Sequence, residues 1–413
     1  MSRARIAGAF VGIVGLFTLL LAACGSDPTA TPVATATPTA TAEPGAPPPE
    51  PTATPTPRAA WEIEWDELVE AAHAEGTLVW AGGAAIKEDY GPLSDAFSTK
   101  FGIQVIPQSG SSSQAQDRIL AERQANLFTT DMLSMSPRRG KIMIENGALD
   151  PIPPQLFLPE VLDESLWWDG QHQYGDLTRQ YIFQVSSSVR GANFTINTDL
   201  VNEDDINSYW DLLDPKYSDL LVSGFIGEEG VGSSVVTWYL LPGMGPELLE
   251  KLILETNIEM VGDLTLGKNW LITGKKGIGL FLGGIDDMVA LAALGAPIKV
   301  VTKTLKEGGI IQGGGSSSVI MLMNKAPHPN AAKLFLNWYL SREGQTAMVT
   351  AYPLRQSFRE DVPTDMIPPE LVREEGKSYL YPPGNPAFIA GDDDARAFVA
   401  GLVQKYRDKK AAE

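Results

Sequence analysis

Hydrophobic positions along this chain change their period from segment to segment, and the period predicts the elements. Trp61, Trp65, Leu68 and Ala72 recur at helical spacing, and Gly76 follows as a stop. "TLVWAG" at 77–82 reads as a buried strand. Tyr90 to Lys100 is a second helix, with Leu93 and Phe97 four apart. "IQVIPQ" is the next strand, "SSSQAQDRILAERQA" a helix opened by serines, and "DMLSMS" a third strand. The helix after Pro137 stops at Asn146-Gly147. Strands that alternate with helices of this length predict βαβ units and a mainly parallel sheet.

"LWWDGQHQYGD" breaks that rhythm, and Asp169-Gly170 between aromatic flanks predicts a hairpin turn. "YIFQVSSSVRGANFTIN" is a long strand-like stretch, read as a crossing between two lobes. Helix signals return at "SYWDLLD", "SSVVTWYLL" and "PELLEKLILET". "KGIGLFLGG" is a strand, "DDMVALAALG" a helix stopped by Gly295, and "PIKVVT" a strand. Ala331, Leu334, Phe335, Trp338 and Tyr339 make one apolar helix stripe. The tail from Pro363 is Pro-rich, then charged, with a helix near Ala395 to Tyr406. No internal repeat is present.

The amino end follows different rules. Arg3 and Arg5 precede an apolar run from Ile6 to Leu21, and Leu21-Ala22-Ala23 leads into Cys24, the single cysteine. Basic, apolar and small-residue zones in that order describe a secretory signal; an uncleaved anchor helix is the alternative. From Gly25 to Arg58 the chain is Thr, Pro and Ala with almost no large apolar residue. It cannot bury enough surface to offset the entropy of ordering, so it is expected to act as an extended spacer. At about 3.1 Å per residue its reach is on the order of 100 Å. Its threonines are either plain or sugar-bearing.

The formal charge is −19, with a pI near 4.6. Losing Arg3 and Arg5 with the signal makes the mature chain more negative. Such a surface repels nucleic acid and anionic headgroups. The three histidines, His73, His172 and His328, share no metal-ligand spacing, and no HExxH, GxSxG or P-loop pattern occurs. An enzyme is therefore not expected, and no metal or cofactor is implied.

Two stretches suggest binding. Gly110, Ser111, Ser112 and Ser113 follow a strand and open a helix; Gly232, Ser233 and Ser234 open another. Helix N-termini offer unpaired N–H groups, and serines add donors, so two facing ends would hold a polar or anionic ligand. Plain N-capping is the competing reading, and Glu228-Glu229 speaks against a strong anion. Asp286-Asp287 begins a helix, either as a cap or as a ligand contact. Tyr181 and Trp167-Trp168 stack on a ligand or pack in the core.

"FTINTDLVNEDDINSYWDLLDPKYSDLLVS" is similar to the mid-chain signature of bacterial extracellular solute-binding proteins, family 1, of the iron(III)/thiamine-like group. "GKKGIGLFLGGIDDMVALAALGAPIKVV" and "APHPNAAKLFLNWYLSREGQ" resemble two further blocks, in the right order. The resemblance covers about 61–358. It implies a two-lobe type II periplasmic-binding-protein fold, each lobe a mainly parallel sheet flanked by helices, with interlobe crossings. It implies delivery of a ligand to an ABC importer. Leu-Ala-Ala-Cys resembles a lipobox, which implies cleavage before Cys24 and a lipid on its sulfur. Ligand positions implied are Gly82 and Gly83 after the first strand, Gly110 to Ser113, Ser134, Tyr181, Ser233 and Ser234; Asp286 joins them from the pattern. Iron(III) binders of this group place paired tyrosines where this chain has "GLFLGGIDD", so bare ferric iron is not expected.

The expected organisation is a signal peptide at 1–23 and a lipidated linker at 24–60. Lobe I is expected at 61–185 plus 312–347, and lobe II at 186–311 plus 348–413. The expected function is a lipid-anchored, monomeric solute-binding subunit at the cell surface or in the periplasm. Its partners are a small polar ligand, an ABC permease and the membrane, with no nucleic acid. The rival functions are a ferric-iron binder of the same family, a ligand-sensing module and an extracellular hydrolase.

Overall fold

Three βαβ-like passes build the first lobe. The computed structural model describes residues 58–413 apart from 84–89, 191–193, 284, 313–317, 374, 376–378 and 381–384. Cys24, the expected signal segment and nearly all of the expected linker lie outside the described residues. Helix α1 (Ala60–Glu75) ends at Gly76, whose φ of 71° is the left-handed cap that glycine adopts without strain. Strand β1 (Thr77–Gly83), helix α2 (Gly91–Phe101), strand β2 (Gln104–Gly110), helix α3 (Ser112–Gln124), strand β3 (Met132–Ser134) and helix α4 (Pro137–Glu145) follow as the pattern predicts. β2, β1 and β3 are parallel neighbours. The sheet is completed by β13 (Val319–Met323), β4 (Leu149–Asp150) and β5 (Phe183–Gln184), in the order β2-β1-β3-β13-β4, with β5 also on β13.

The Asp169-Gly170 hairpin does not form. Asp169 and Gly170 have φ of 59° and 63°, as such a turn needs, but their flanks make only single bridges, Trp167 to Arg359 and Tyr174 to Phe183. Trp167 is fully buried instead. Aromatic burial outweighed the local pairing that the turn residues favour.

The long strand-like stretch breaks into β5, β6 (Ser186–Arg190) and β7 (Phe194–Asn197), and carries the chain into the second lobe. There β8 (Leu221–Gly224), helix α5 (Glu229–Leu240), helix α6 (Gly245–Leu254), β9 (Glu259–Val261), helix α7 (Leu264–Ile272), β10 (Ile278–Leu280), helix α8 (Ile285–Ala293) and β11 (Ile298–Val301) follow. The sheet order is β11-β7-β10-β8-β9. The predicted helix at "SYWDLLD" is a short 3-10 turn, Tyr209–Leu213, capped by the Ser208 hydroxyl. The chain returns through β12 (Gly309–Gln312) to β13, then helices α9 (Pro329–Leu340) and α10 (Arg342–Ala351).

Both lobes share one reversal. β13 is antiparallel to β3, β4 and β5, and β7 is antiparallel to β10 and β11. All other pairings in these two sheets are parallel. β7 and β13 are the strands that enter each lobe straight from a crossing rather than through a crossover helix, so right-handed βαβ geometry does not govern them.

The crossings form a third sheet, β14-β6-β12-β15. Its outer strands, β14 (Gln356–Ser357) and β15 (Tyr379–Leu380), come from the tail. These tail residues lie beyond the expected lobe I boundary at 347. Met348, Val349, Phe358, Val362, Ile367 and Leu371 pack in the first lobe's core with Trp80 and Phe335. Among the described residues of the tail, helix α11 (Pro386–Ala412) joins the second, burying Phe388, Val399, Leu402 and Val403 with Trp238 and Leu249. The tail therefore crosses between the lobes a third time.

Candidate functional site

The carboxyl ends of parallel strands gather most of the expected ligand positions of lobe I. Gly82 sits opposite Ser109 on one side and Ser134 on the other, and Gly83 opposite Gly110. β1 lies between β2 and β3, so this edge is the point where strand order reverses, the place where open α/β sheets bind ligands. Helix α3 starts here. The Ser111 hydroxyl lies 2.6 Å from that of Ser113 and does not cap the helix. The capping reading is thus not realised: the first-turn N–H groups of α3 have no side-chain acceptor at the N-cap.

Ser134 turns inward. Ser134 is fully buried; its Oγ accepts Trp80 Nε1 at 2.8 Å and donates to the Val319 carbonyl at 2.7 Å. That hydroxyl bolts β1, β3 and β13 together. Tyr181 is half-buried on the sheet face that holds Leu120 and Ile144. Its backbone is held by a residue that the sequence reading passed over. Asp176 accepts the N–H groups of Gln180, Tyr181 and Ile182 at 3.1, 3.1 and 2.9 Å, and the Thr178 hydroxyl at 2.5 Å. The sequence carries no local signal for it, because the accepted N–H groups lie four to six residues on, beyond the two-residue reach of an Asx-turn. Trp167 is buried in the core and Trp168 packs against Phe358 at 5.8 Å, as the core reading has it.

The second lobe presents a matching edge. β8 and β10 are parallel and end at Gly224 and Leu280. Phe281, next along, has φ of 53°, a conformation that costs a non-glycine residue about 1–3 kcal/mol. Its ring stacks edge-on to Trp238 at 4.9 Å. A Cβ on Gly224 would stand 2.5 Å from the Phe281 carbonyl, so glycine is required for this close approach.

Here the structure corrects one expectation. Helix α5 starts at Glu229, with Glu228 as its exposed N-cap residue. Gly232, Ser233 and Ser234 therefore sit inside the helix rather than opening it. Carboxylates in the first turn complement the helix dipole, which favours the earlier start. Ser234 is part-buried; the side chains of Ser233 and Asp286 lie outside those described. Asp286 and Asp287 do fall in the first turn of α8, and Asp287 pairs with Lys268 at 2.6 Å.

The histidines have structural partners or face solvent. His73 is exposed. His172 is buried; its Nε2 lies 2.7 Å from the Val161 carbonyl, and burial pushes its pKa below the usual value despite Glu164 at 3.3 Å. His328 bridges Asp131 at 2.9 Å and the Thr77 hydroxyl at 3.0 Å. This carboxylate–imidazole–hydroxyl line has the outline of a catalytic relay. It lies at the amino end of β1, and buried Asp131 also accepts the N–H groups of Val79 and His328, both at 2.7 Å. It latches the β13–α9 turn to the sheet. A surface groove of about 860 Å³ lies between α2 and α10, with Ala96, Thr346 and Ala347 in its walls. The groove belongs to lobe I alone and is not the interlobe edge.

At the hinge, Arg373 reaches back from the tail. Its guanidinium donates to the Ser187 hydroxyl at 3.3 Å and the Ser357 carbonyl at 2.8 Å, bridging β6 and β14. The Trp168 and Phe358 rings lie 5.9 and 5.6 Å from it. Burial lowers its pKa to about 10, against the pull of Glu360, so it stays charged at neutral pH.

Two lobes that each carry one reversed strand, joined by a sheet of crossing strands, make a type II periplasmic-binding-protein fold, and solved structures agree. Iron-bound HitA from Pseudomonas aeruginosa matches at 18% identity and a TM-score of 0.54, over 79% of this chain and 99% of that one. The Trichodesmium protein IdiA (FutA), in complex with iron and citrate, matches at 18% identity and 0.59 over the same shares. AfuA from Actinobacillus pleuropneumoniae, with fructose-6-phosphate bound, matches at 18% and 0.54 over 80% and 99%. No curated protein matches the chain. The sequence profile of the bacterial extracellular solute-binding proteins matches residues 83–346, and the chain belongs to that family. It is a family of solute binders rather than of enzymes, working outside the cytoplasm with ABC-transporter permeases.

Proposed function

We propose that this protein is a monomeric, lipid-anchored receptor that closes its two lobes on a small polar organic solute bearing a carboxylate or phosphate group. The observation that carries this reading is the pair of carboxyl edges. In lobe I, Gly82, Gly83 and Gly110 share one edge with the start of α3. In lobe II, Gly224 and Phe281 precede the starts of α5 and α8. Helix starts and glycine-lined edges let backbone N–H groups approach a polar ligand closely; the anionic group is assigned to lobe I, because Glu228, Glu229, Asp286 and Asp287 make the helix starts of lobe II acidic. β6 and β12, paired in the third sheet, carry the chain from one lobe to the other and are the strands on which a hinge closure would turn. Phe281 in place of a ligating tyrosine supports an organic anion over bare ferric iron. The site proposed comprises Gly82, Gly83, Gly110 to Ser113 and the first turns of α5 and α8. Lobe I is proposed to extend through the tail as far as Leu371.

Isothermal titration with carboxylates, phosphate esters, ferric citrate and polyamines tests this. At least one organic anion should bind, and Ser112→Leu should weaken it about tenfold or more by obstructing the edge, with the apo melting temperature unchanged. Tight binding of ferric iron with a visible charge-transfer band, and of no organic anion, would overturn the ligand class.

A further inference from the structure

Arg355 carries a guanidinium that has no counter-charge among the described residues. It stands in the turn between α10 and β14, where its N–H donates to the Tyr352 carbonyl at 3.2 Å. Its Cζ lies 5.7 Å from the centroid of the Tyr352 ring. Its Nε is sealed from solvent and has no partner, and no ion pair or hydrogen bond to its guanidinium occurs among the described residues. Its neighbours in sequence differ. Arg359, fully buried, is held by Glu160, Asp361 and the Leu340 carbonyl. Arg373 has Ser187 and the Ser357 carbonyl. A guanidinium carries five donors; with the Nε sealed, its terminal nitrogens, which have no partner among the described residues, are the ones that an arriving acceptor can reach.

Its position agrees. The Tyr352 ring packs against Tyr90 with centroids 6.1 Å apart. Tyr90 is the first described residue after β1 leaves the sheet at Gly83. One residue beyond Arg355, Gln356 pairs with Ser187 of hinge strand β6. Arg355 thus stands where the carboxyl edge of lobe I meets the hinge sheet.

We infer that Arg355 is an anion-pairing residue of the solute site, its fork taking the carboxylate or phosphate of the ligand while Tyr352 holds the guanidinium plane from behind. The inference rests on the solute-capture reading above. A guanidinium matches two acceptor oxygens at once, which an ammonium does not, and stacking on an aromatic face fixes the plane of the fork. Arg355 lies beyond the family-matched segment of 83–346.

The test is calorimetric titration of the purified mature protein and its Arg355→Ala, Arg355→Gln and Arg355→Lys variants. The probes are inorganic phosphate, a hexose phosphate, citrate and spermidine, with apo melting temperatures measured alongside. An anion should bind the parent protein, and Arg355→Ala and Arg355→Gln should weaken it about ten- to a hundredfold. Arg355→Lys should recover part of the loss, and no apo protein should melt lower. Unchanged anion affinity in Arg355→Gln would overturn the inference. So would an affinity loss that tracks a fall in apo melting temperature, which would mark a packing role. Binding of spermidine and no anion would overturn the role of Arg355 and leave solute capture standing; binding of no solute in a wider metabolite screen would overturn both.

Discussion

Single atoms decide several features of this molecule, and Gly224 shows how. It ends β8 directly against the left-handed Phe281, whose carbonyl occupies the space a side chain would need. Because the obstructing atom is main chain, no rotamer change relieves the contact. Gly224→Ala is expected to cost about 1–3 kcal/mol, the usual penalty of overpacking, and to push Phe281 away from the edge. A melting temperature lowered by several degrees checks it; an unchanged one would mean that the Phe281 backbone shifts freely. Ser134 teaches the converse. A serine at the carboxyl end of a strand has the look of a ligand donor in sequence, yet its hydroxyl is committed to Trp80 and Val319. Nothing in the sequence places an indole N–H beside it, because the pairing of β1 with β3 does that.

Elements with a strong period were legible, and those without one were not. The stripe of Ala331, Leu334, Phe335, Trp338 and Tyr339 is buried as expected, in a helix that is buried nearly all round. The βαβ order of lobe I was readable for the same reason. Helix α5 was read four residues short, because Gly230 and Gly232 look like a turn while two glutamates favour a helix start. The tail was opaque. β14 and β15 are two residues each, too short for any alternation to register, and their pairing with β6 and β12 is set wholly by tertiary context. The pattern predicts only the part of helix α11 near Ala395 to Tyr406, not its start at Pro386, and it does not reveal the partner. It covers α5 and α6, with Tyr406 accepting the Met260 N–H at 3.2 Å and Lys409 bonding the Thr256 carbonyl at 2.8 Å. Each large side chain it buries is worth about 1.5–3 kcal/mol, and domains hold only about 5–15 in all. Truncation before Pro386 should therefore unfold lobe II or drive the protein into aggregates, read by circular dichroism and size-exclusion chromatography. A soluble truncation that melts like the parent would show that the helix is an accessory.

At the scale of the whole molecule, binding and location separate. The two cores are built from residues after Ala60, and the first described ion pair, Arg58 with Asp66, is exposed at both partners. Exposed pairs of this kind contribute at most about 1 kcal/mol. The Thr-, Pro- and Ala-rich stretch before them has by composition nothing to bury. Its proposed work is to hold the receptor within about 100 Å of the membrane, where the local concentration near the permease exceeds that of a freely diffusing protein. Deleting 26–57 should then leave the melting temperature and ligand affinity of the purified protein unchanged. Cys24→Ala should shift the protein out of the membrane fraction or leave the signal segment uncleaved, with uptake falling in cells. Fractionation and mass spectrometry of the mature N-terminus check the anchor, and calorimetry checks the deletion. A mature N-terminus elsewhere with no lipid would remove the anchor from the scheme. A deletion that melts several degrees lower would show that the stretch packs on the lobes, and the separation of tether from receptor would then fail.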